Sequence, residues 1–207
     1  MTGRAMTERK RLTPGDKLNL ERVKFLVVDD NTQSLDIIGQ ALVGYGVRNI
    51  FKCETAKQAR DLIEKNTFEC MITAAQMPDE DGYSLVRWVR REGGDPNRFM
   101  PIIICTGHTR LSQIMYARDS GAHFTVAKPV TPKVLLERIF WAAKDEREFV
   151  ESETYVGPDR RFKRLGPPFG IDGRRKEDPK GALGAAQEPN LSQDEIDSLM
   201  KPAKVAL

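Results

Sequence analysis

The chain has 207 residues, 40% hydrophobic and 30% charged, with a net charge of +3. That is the makeup of a protein with a core, too near neutrality to argue for nucleic acid, and no DNA-binding domain is expected. No stretch approaches the roughly eighteen consecutive apolar residues that cross a bilayer, and the opening MTGRAMTERKRL lacks a signal-peptide core, so a cytoplasmic protein without a membrane segment is expected.

Apolar residues concentrate over 23–150, the size of one ordinary domain. The expected organisation is a disordered basic arm over 1–20, a folded domain over 21–147, a Gly/Pro/Arg-rich linker over 148–190 and a short amphipathic helix over 191–201. Cys53, Cys70 and Cys105 show no CxxC spacing and read as small buried hydrophobes.

The first strand is Lys24-Phe25-Leu26-Val27-Val28, a continuous apolar run of the kind buried on both faces of a parallel sheet. It leads into Asp29 and Asp30, which either hold a divalent cation at a strand end or cap the following helix. Asn31 or Thr32 opens that helix, with Leu35, Ile38, Leu42 and Val43 at helical spacing, and Gly44 and Gly46 close it. A short strand over 47–52 and a helix over 55–65 capped by Thr55 follow.

The third strand, over 68–73, runs into Ala74-Ala75-Gln76-Met77-Pro78-Asp79-Glu80-Asp81-Gly82, whose Pro and Asp-Gly signals mark a turn. A helix over 83–91 precedes the fourth strand, over 101–105, which delivers Thr106 and Gly107. After a helix over 109–119, a fifth strand over 122–127 delivers Lys128-Pro129. Thr131-Pro132 opens the last helix, with Leu135, Leu136, Ile139 and Phe140 at core spacing and Trp141 off that stripe, half exposed. Five strands alternating with five helices predict an α/β fold with a doubly wound five-stranded parallel sheet. In such a sheet the carboxyl ends of the strands form the ligand crevice, which gathers Asp29, Asp30, Thr106 and Lys128. His108 and His123 read as ordinary solvated or packed histidines.

Four motifs stand in order: Phe25-Leu26-Val27-Val28-Asp29-Asp30, Met77-Pro78-Asp79-Glu80-Asp81-Gly82, Ile104-Cys105-Thr106-Gly107, and Gly121-Ala122 followed by Lys128-Pro129. Over about residues 23–144 the chain resembles the CheY-like receiver domain of two-component response regulators, a flavodoxin-type fold. The resemblance implies a signalling module of a phosphorelay rather than an enzyme, with a histidine kinase, another receiver or a chemotaxis or flagellar component as protein partner. It also implies Mg²⁺ on Asp29 and Asp30, a phosphoryl oxygen held by Thr106 and an acyl phosphate paired with Lys128.

In proteins that this chain resembles, an aspartate three residues before the Met of Met-Pro accepts the phosphoryl group. Here that residue is Ala74, whose methyl group supplies no nucleophile. Two readings follow: a pseudo-receiver working without phosphate, or a conventional receiver whose acceptor has been replaced. Without a third carboxylate Mg²⁺ binding is expected to be weakened, and Lys128 then either bridges to Asp29 or Asp30 or leaves them to the metal. The family's aromatic switch residue is absent too, its place being Thr125.

Beyond residue 150 the chain turns to Gly, Pro and Arg. Gly157-Pro158-Asp159-Arg160-Arg161 and Gly173-Arg174-Arg175 look like two copies of one basic element, with Phe162 and Phe169 between. Arg160, Arg161, Arg174 and Arg175 form either a solvated linker or an arm that grips an anion such as a nucleotide second messenger. The chain then reads Leu191-Ser192-Gln193-Asp194-Glu195-Ile196-Asp197-Ser198-Leu199-Met200. Ser192 and Glu195 make a capping box, and Leu191, Ile196, Leu199 and Met200 an apolar stripe for a partner. This segment resembles the N-terminal segment of the flagellar switch protein FliM that binds the chemotaxis receiver CheY. The resemblance implies docking on the last-helix face of a receiver, its own or another protein's.

Overall fold

The computed structural model describes residues 19–160 and 190–200, with side chains to residue 197 in the last segment. Five parallel strands form one sheet: β1 Lys24–Val28, β2 Asn49–Cys53, β3 Cys70–Ala74, β4 Ile102–Thr106 and β5 Phe124–Ala127. Their spatial order is β2-β1-β3-β4-β5. The expected doubly wound sheet is therefore present, with no strand end more than two residues from its sequence-based limit.

Helices α1 Thr32–Gly44, α2 Ala56–Lys65, α3 Gly82–Glu92, α4 Leu111–Asp119 and α5 Pro132–Ala143 alternate with the strands. Their starts follow local chemistry. Asn31, Thr55 and Thr131 each accept a backbone N–H of the first turn, satisfying donors that a helix cannot pair by itself. Asp81 does the same for α3.

Side chains alternate across the strands, so the core has two halves. Leu26, Val28, Met71, Ile102 and Ile104 face α2, α3 and Ala117 of α4. Phe25, Val27, Ile72, Ile103, Phe124 and Val126 face α1 and α5 through Leu35, Ile38, Leu42, Leu135 and Ile139. Strands wholly buried in this way explain why they read as unbroken apolar runs. The three cysteines are free and buried.

Four sequence expectations need correction. Leu20, placed in the arm, is buried with the α1/α5 half of the core. Val43 and Leu136, placed inward, are exposed. On α5, Arg138, Trp141 and Ala142 turn inward with Leu135 and Ile139; Trp141 is only 2% exposed and meets Phe124 edge to face at 5.9 Å. Finally, residues 149–158 are not linker. They form a hairpin of β6 Phe149–Glu151 and β7 Val156–Pro158, which sequence reading missed because its strands have three residues each.

The hairpin is fixed by contacts distant in sequence. Glu151 pairs with Arg98 at 2.9 Å, Phe149 meets Phe99 at 4.7 Å and Arg91 donates to the Glu153 carbonyl at 2.8 Å. Gly121, at φ +99°, permits the approach: a Cβ there would stand 2.6 Å from the Val156 carbonyl oxygen. Beneath the hairpin, Arg90 is fully buried yet satisfied, donating to the carbonyls of Gly121, Arg98 and Met100. It also contacts His123 Nδ1, which accepts the Ile102 N–H. Burial pulls the Arg90 guanidinium down to about 9, leaving it a cation at neutral pH. His123 thus has the structural role expected of it.

A last helix, α6 Gln193–Met200, is separate in sequence and returns to the domain. Among the described residues, no helix is long and apolar enough to cross a membrane.

Candidate functional site

The carboxyl ends of β1, β3, β4 and β5 bring together the residues singled out by sequence. Asp29 is fully buried, and Asp30, one residue on, is exposed. Asp29 Oδ1 accepts the Asn31 N–H at 3.0 Å and Oδ2 accepts Lys128 Nζ at 2.6 Å. The Lys128 backbone N–H donates to the Thr106 carbonyl at 2.8 Å, which continues the β4/β5 ladder and sets the lysine's position. Lys128 thus bridges to Asp29, one of the two arrangements that the sequence left open.

Thr106 is buried, its Oγ1 accepting the His108 N–H at 3.1 Å and facing the His108 carbonyl at 3.2 Å. The hydroxyl thus bonds within its own loop as well as with Tyr83. Nearby, Tyr83 meets Tyr116 edge to face at 4.8 Å. Burial raises the Tyr83 hydroxyl above its usual range, against the opposing pull of a hydrogen bond with Thr106.

Ala74 ends β3 and is 2% exposed. The acidic turn after it points elsewhere. Asp79 accepts the Lys57 N–H at 3.3 Å, Glu80 clamps Arg60 at 2.7 and 2.6 Å, and Asp81 caps α3. The turn folds so tightly that Gly82 passes against β3; a Cβ on Gly82 would stand 1.9 Å from the Ala74 carbonyl oxygen.

Asp29 and Asp30 are the carboxylates that would hold Mg²⁺ here, with no third carboxylate from residue 74. Asp29 is occupied by an ammonium, and among the described residues no group of three carboxylate, histidine or cysteine side chains could hold a metal ion. Mg²⁺ keeps several waters and needs only one or two carboxylates, but at Asp29 it would compete with the Lys128 ammonium, and without a third acid its hold is weakened.

A second cluster lies at the sheet's outer edge, where β5 has β4 on one side only. Helix α6 sits against α4, β5 and α5. Ile196 is 1% exposed and packs on Ile114 of α4, with Ala127 and Leu191 at its border. The expected capping box is present: Ser192 N–H donates to Glu195 Oε2 at 2.7 Å and Glu195 N–H to Ser192 Oγ at 3.3 Å. The Ser192 N–H and, at 2.8 Å, the Ser192 hydroxyl both donate to the Glu195 carboxylate and hold it below its usual range.

Three residues of this contact were missed by sequence. The Gln193 amide covers the open edge of β5, accepting the Ala127 N–H at 2.7 Å and facing the Thr125 carbonyl at 3.5 Å. It also donates to Asp197 at 2.7 Å. Asp197 forms an ion pair with Arg138, a 1%-exposed guanidinium lying 4.0 Å over the Trp141 ring. A signal for Arg138 existed, since it stands three residues after Leu135 and four before Ala142 on the inner stripe of α5. The side chains of Leu199 and Met200 lie outside the described residues.

In the basic element, Arg160 pairs with Asp119 at 3.0 Å and lies 4.5 Å over the Tyr155 ring. Arg161, Arg174 and Arg175 lie outside the described residues.

Fold and strand-end residues together define a receiver-type signalling module. The chain belongs to the response regulator receiver domain family, whose model matches residues 25–140, more than half of its length. It is similar to the CheY homologue of Campylobacter jejuni, 34% identical over 118 residues, covering 56% of this chain and 89% of that protein. CheY1 of Helicobacter pylori is 32% identical over 120 residues, covering 56% and 94%. Among solved structures, a CheY-like receiver domain protein of Methanospirillum hungatei aligns with a TM-score of 0.52 at 28% identity, over 58% of this chain and 93% of its own. CheY4 of Vibrio cholerae shares the fold with a TM-score of 0.54 at 24% identity, over 58% and 98%. The family match ends within α5, so the hairpin and α6 lie beyond it.

Proposed function

We propose that this protein is a response regulator whose receiver domain works as a protein-interaction module without phosphorylation of its own. The observation that carries the reading is the pairing of Lys128 with Asp29 beside Ala74. Phosphoryl transfer to a receiver needs a carboxylate in line with phosphorus and a free cation to meet the new charge. This site has a methyl group in the first role and a neutralised ammonium in the second. Mg²⁺ has no more than a weakened place, because Asp29 is already satisfied.

Likeness to chemotaxis proteins of the CheY type supports a role in chemotaxis or motility signalling through two-component pathways. Protein partners follow from that likeness, a histidine kinase, another receiver or a flagellar component among them. A cytoplasmic location fits the same reading.

The test restores the acid. Ala74→Asp protein is incubated with a small acyl phosphate and Mg²⁺ and assayed for an alkali-labile phosphoryl group. The expected result is no incorporation. A stable acyl phosphate on residue 74 would overturn the reading in favour of a conventional receiver whose acceptor has been replaced.

A further inference from the structure

Helix α6 is held by three kinds of contact that a partner's helix would also make. Ile196 fills the apolar groove beside Ile114. Gln193 satisfies the backbone of an edge strand, which otherwise presents unpaired polar groups to solvent. Asp197 supplies the counter-charge for Arg138. With α6 removed, a guanidinium on an indole and an open strand edge would flank an apolar slot. That surface is complementary to a short acidic helix, and the seated occupant shows the pattern it takes.

The occupant is also built to leave. Eight helical residues are marginal alone in water, so α6 depends on its docking for order. The chain departs at Arg160, paired with Asp119 at the last residue of α4, and returns at Asn190, bridged to Arg110 at the start of α4. The ends are separated by the length of a nine-residue helix, about 14 Å. Residues 161–189 have a contour far longer than that, at about 3.3–3.6 Å per extended residue. Docking within the chain and release from it are both sterically open.

We propose that α6 is an intramolecular latch on the α4–β5–α5 groove, shutting it to a capped acidic helix presented by a partner with the same glutamine, isoleucine and aspartate. This rests on the reading of the domain as an interaction module, but not on whether residue 74 can be phosphorylated. A tethered helix competes at a local concentration on the order of millimolar. An incoming helix of equal intrinsic affinity is therefore held off until α6 is displaced. The latch also grips the strand-end loops: Leu191 N–H donates to the Thr109 carbonyl at 2.7 Å, and Gln193 holds Ala127 next to Lys128.

The experiment uses full-length protein and a fluorescent synthetic peptide copying residues 188–202, with binding read by anisotropy. The native chain is expected to bind the peptide weakly, and the Ile196→Asp chain, its own helix undocked, on the order of tenfold more tightly. Adding Arg138→Glu to Ile196→Asp should abolish binding, because the groove then repels the peptide's aspartate. Trp141 emission should shift to the red in Ile196→Asp and return when peptide is added, showing that the groove is intact. Equal affinity of the native and Ile196→Asp chains, or no binding by Ile196→Asp, would overturn the latch. Phosphoryl incorporation into Ala74→Asp would strike the reading of the module and leave this result untouched.

Discussion

Lys128 closes over Asp29, its Nζ 2.6 Å from Oδ2 of a carboxylate whose side chain is 1% exposed. The pair joins the ends of β1 and β5, which have β3 and β4 between them. Lys128→Met keeps the aliphatic stem and leaves Asp29 buried with one partner. Because the Lys128 side chain is itself 27% exposed, the cost falls below that of a fully buried pair, at about 2 kcal/mol. Urea unfolding should show this as a lower midpoint with unchanged slope, and Lys128→Met with Asp29→Asn should recover part of it. Identical midpoints for the native and Lys128→Met proteins would show that the pair adds nothing.

Gly82 is the place where the turn after Ala74 grazes β3. Gly82→Ala puts a methyl group into backbone rather than into a movable side chain. The start of α3 must then shift, at a cost of about 1–3 kcal/mol. Differential scanning calorimetry should find a lower Tm for Gly82→Ala than for Gly44→Ala, where nothing lies within 4 Å of the added Cβ.

Asn97 is a buried polar hub. Its Oδ1 accepts the Phe68 N–H at 2.8 Å and its Nδ2 donates to the carbonyls of Ile63 at 2.9 Å and Asn66 at 2.7 Å. It thereby ties the segment before β3 to the end of α2. Asn97→Ala strands these groups away from water, and a loss of about 2 kcal/mol is expected. Amide exchange at Phe68 should accelerate; unchanged protection there would refute the assignment.

Burial pushes the thiols of Cys53, Cys70 and Cys105 each up to about 12 and the Tyr155 hydroxyl up to about 12. The native protein should be inert to a thiol reagent near pH 8 and react at all three cysteines once denatured. The pH dependence has a fixed sign. These groups stay protonated in the folded state and ionise in the unfolded one from about pH 9 for the thiols and 10 for the phenol. Their contribution is whole below that range and is lost as pH climbs toward 12. A urea midpoint that holds between about pH 8 and about pH 11 would contradict this.

Much of this protein was legible in its sequence, for reasons that differ by element. The apolar runs at β1 and β4 announced doubly buried strands because both faces of the sheet are covered. Asn31, Thr55, Thr131 and Ser192 announced helix starts because a cap acts within three residues. The crevice residues were found because strand ends in a parallel sheet converge whatever the loops do. The hairpin over 149–158 was missed: three-residue strands carry too little pattern, and its anchors, Arg91, Arg98 and Phe99, lie some fifty residues earlier. Trp141 was misplaced, its burial being decided by neighbours outside its own helix.

By itself, then, the sequence determined the sheet, its helices, the meeting of Asp29, Thr106 and Lys128, and the alanine at 74, because these depend on local periodicity and on the geometry shared by every doubly wound sheet. Only the tertiary structure decided that Lys128 neutralises Asp29, that Arg138 is buried, and that the terminal helix covers the α4–β5–α5 face of its own domain. Those outcomes depend on which charges and edges compete for one another across distant segments, and the competition is settled only when the chain is folded.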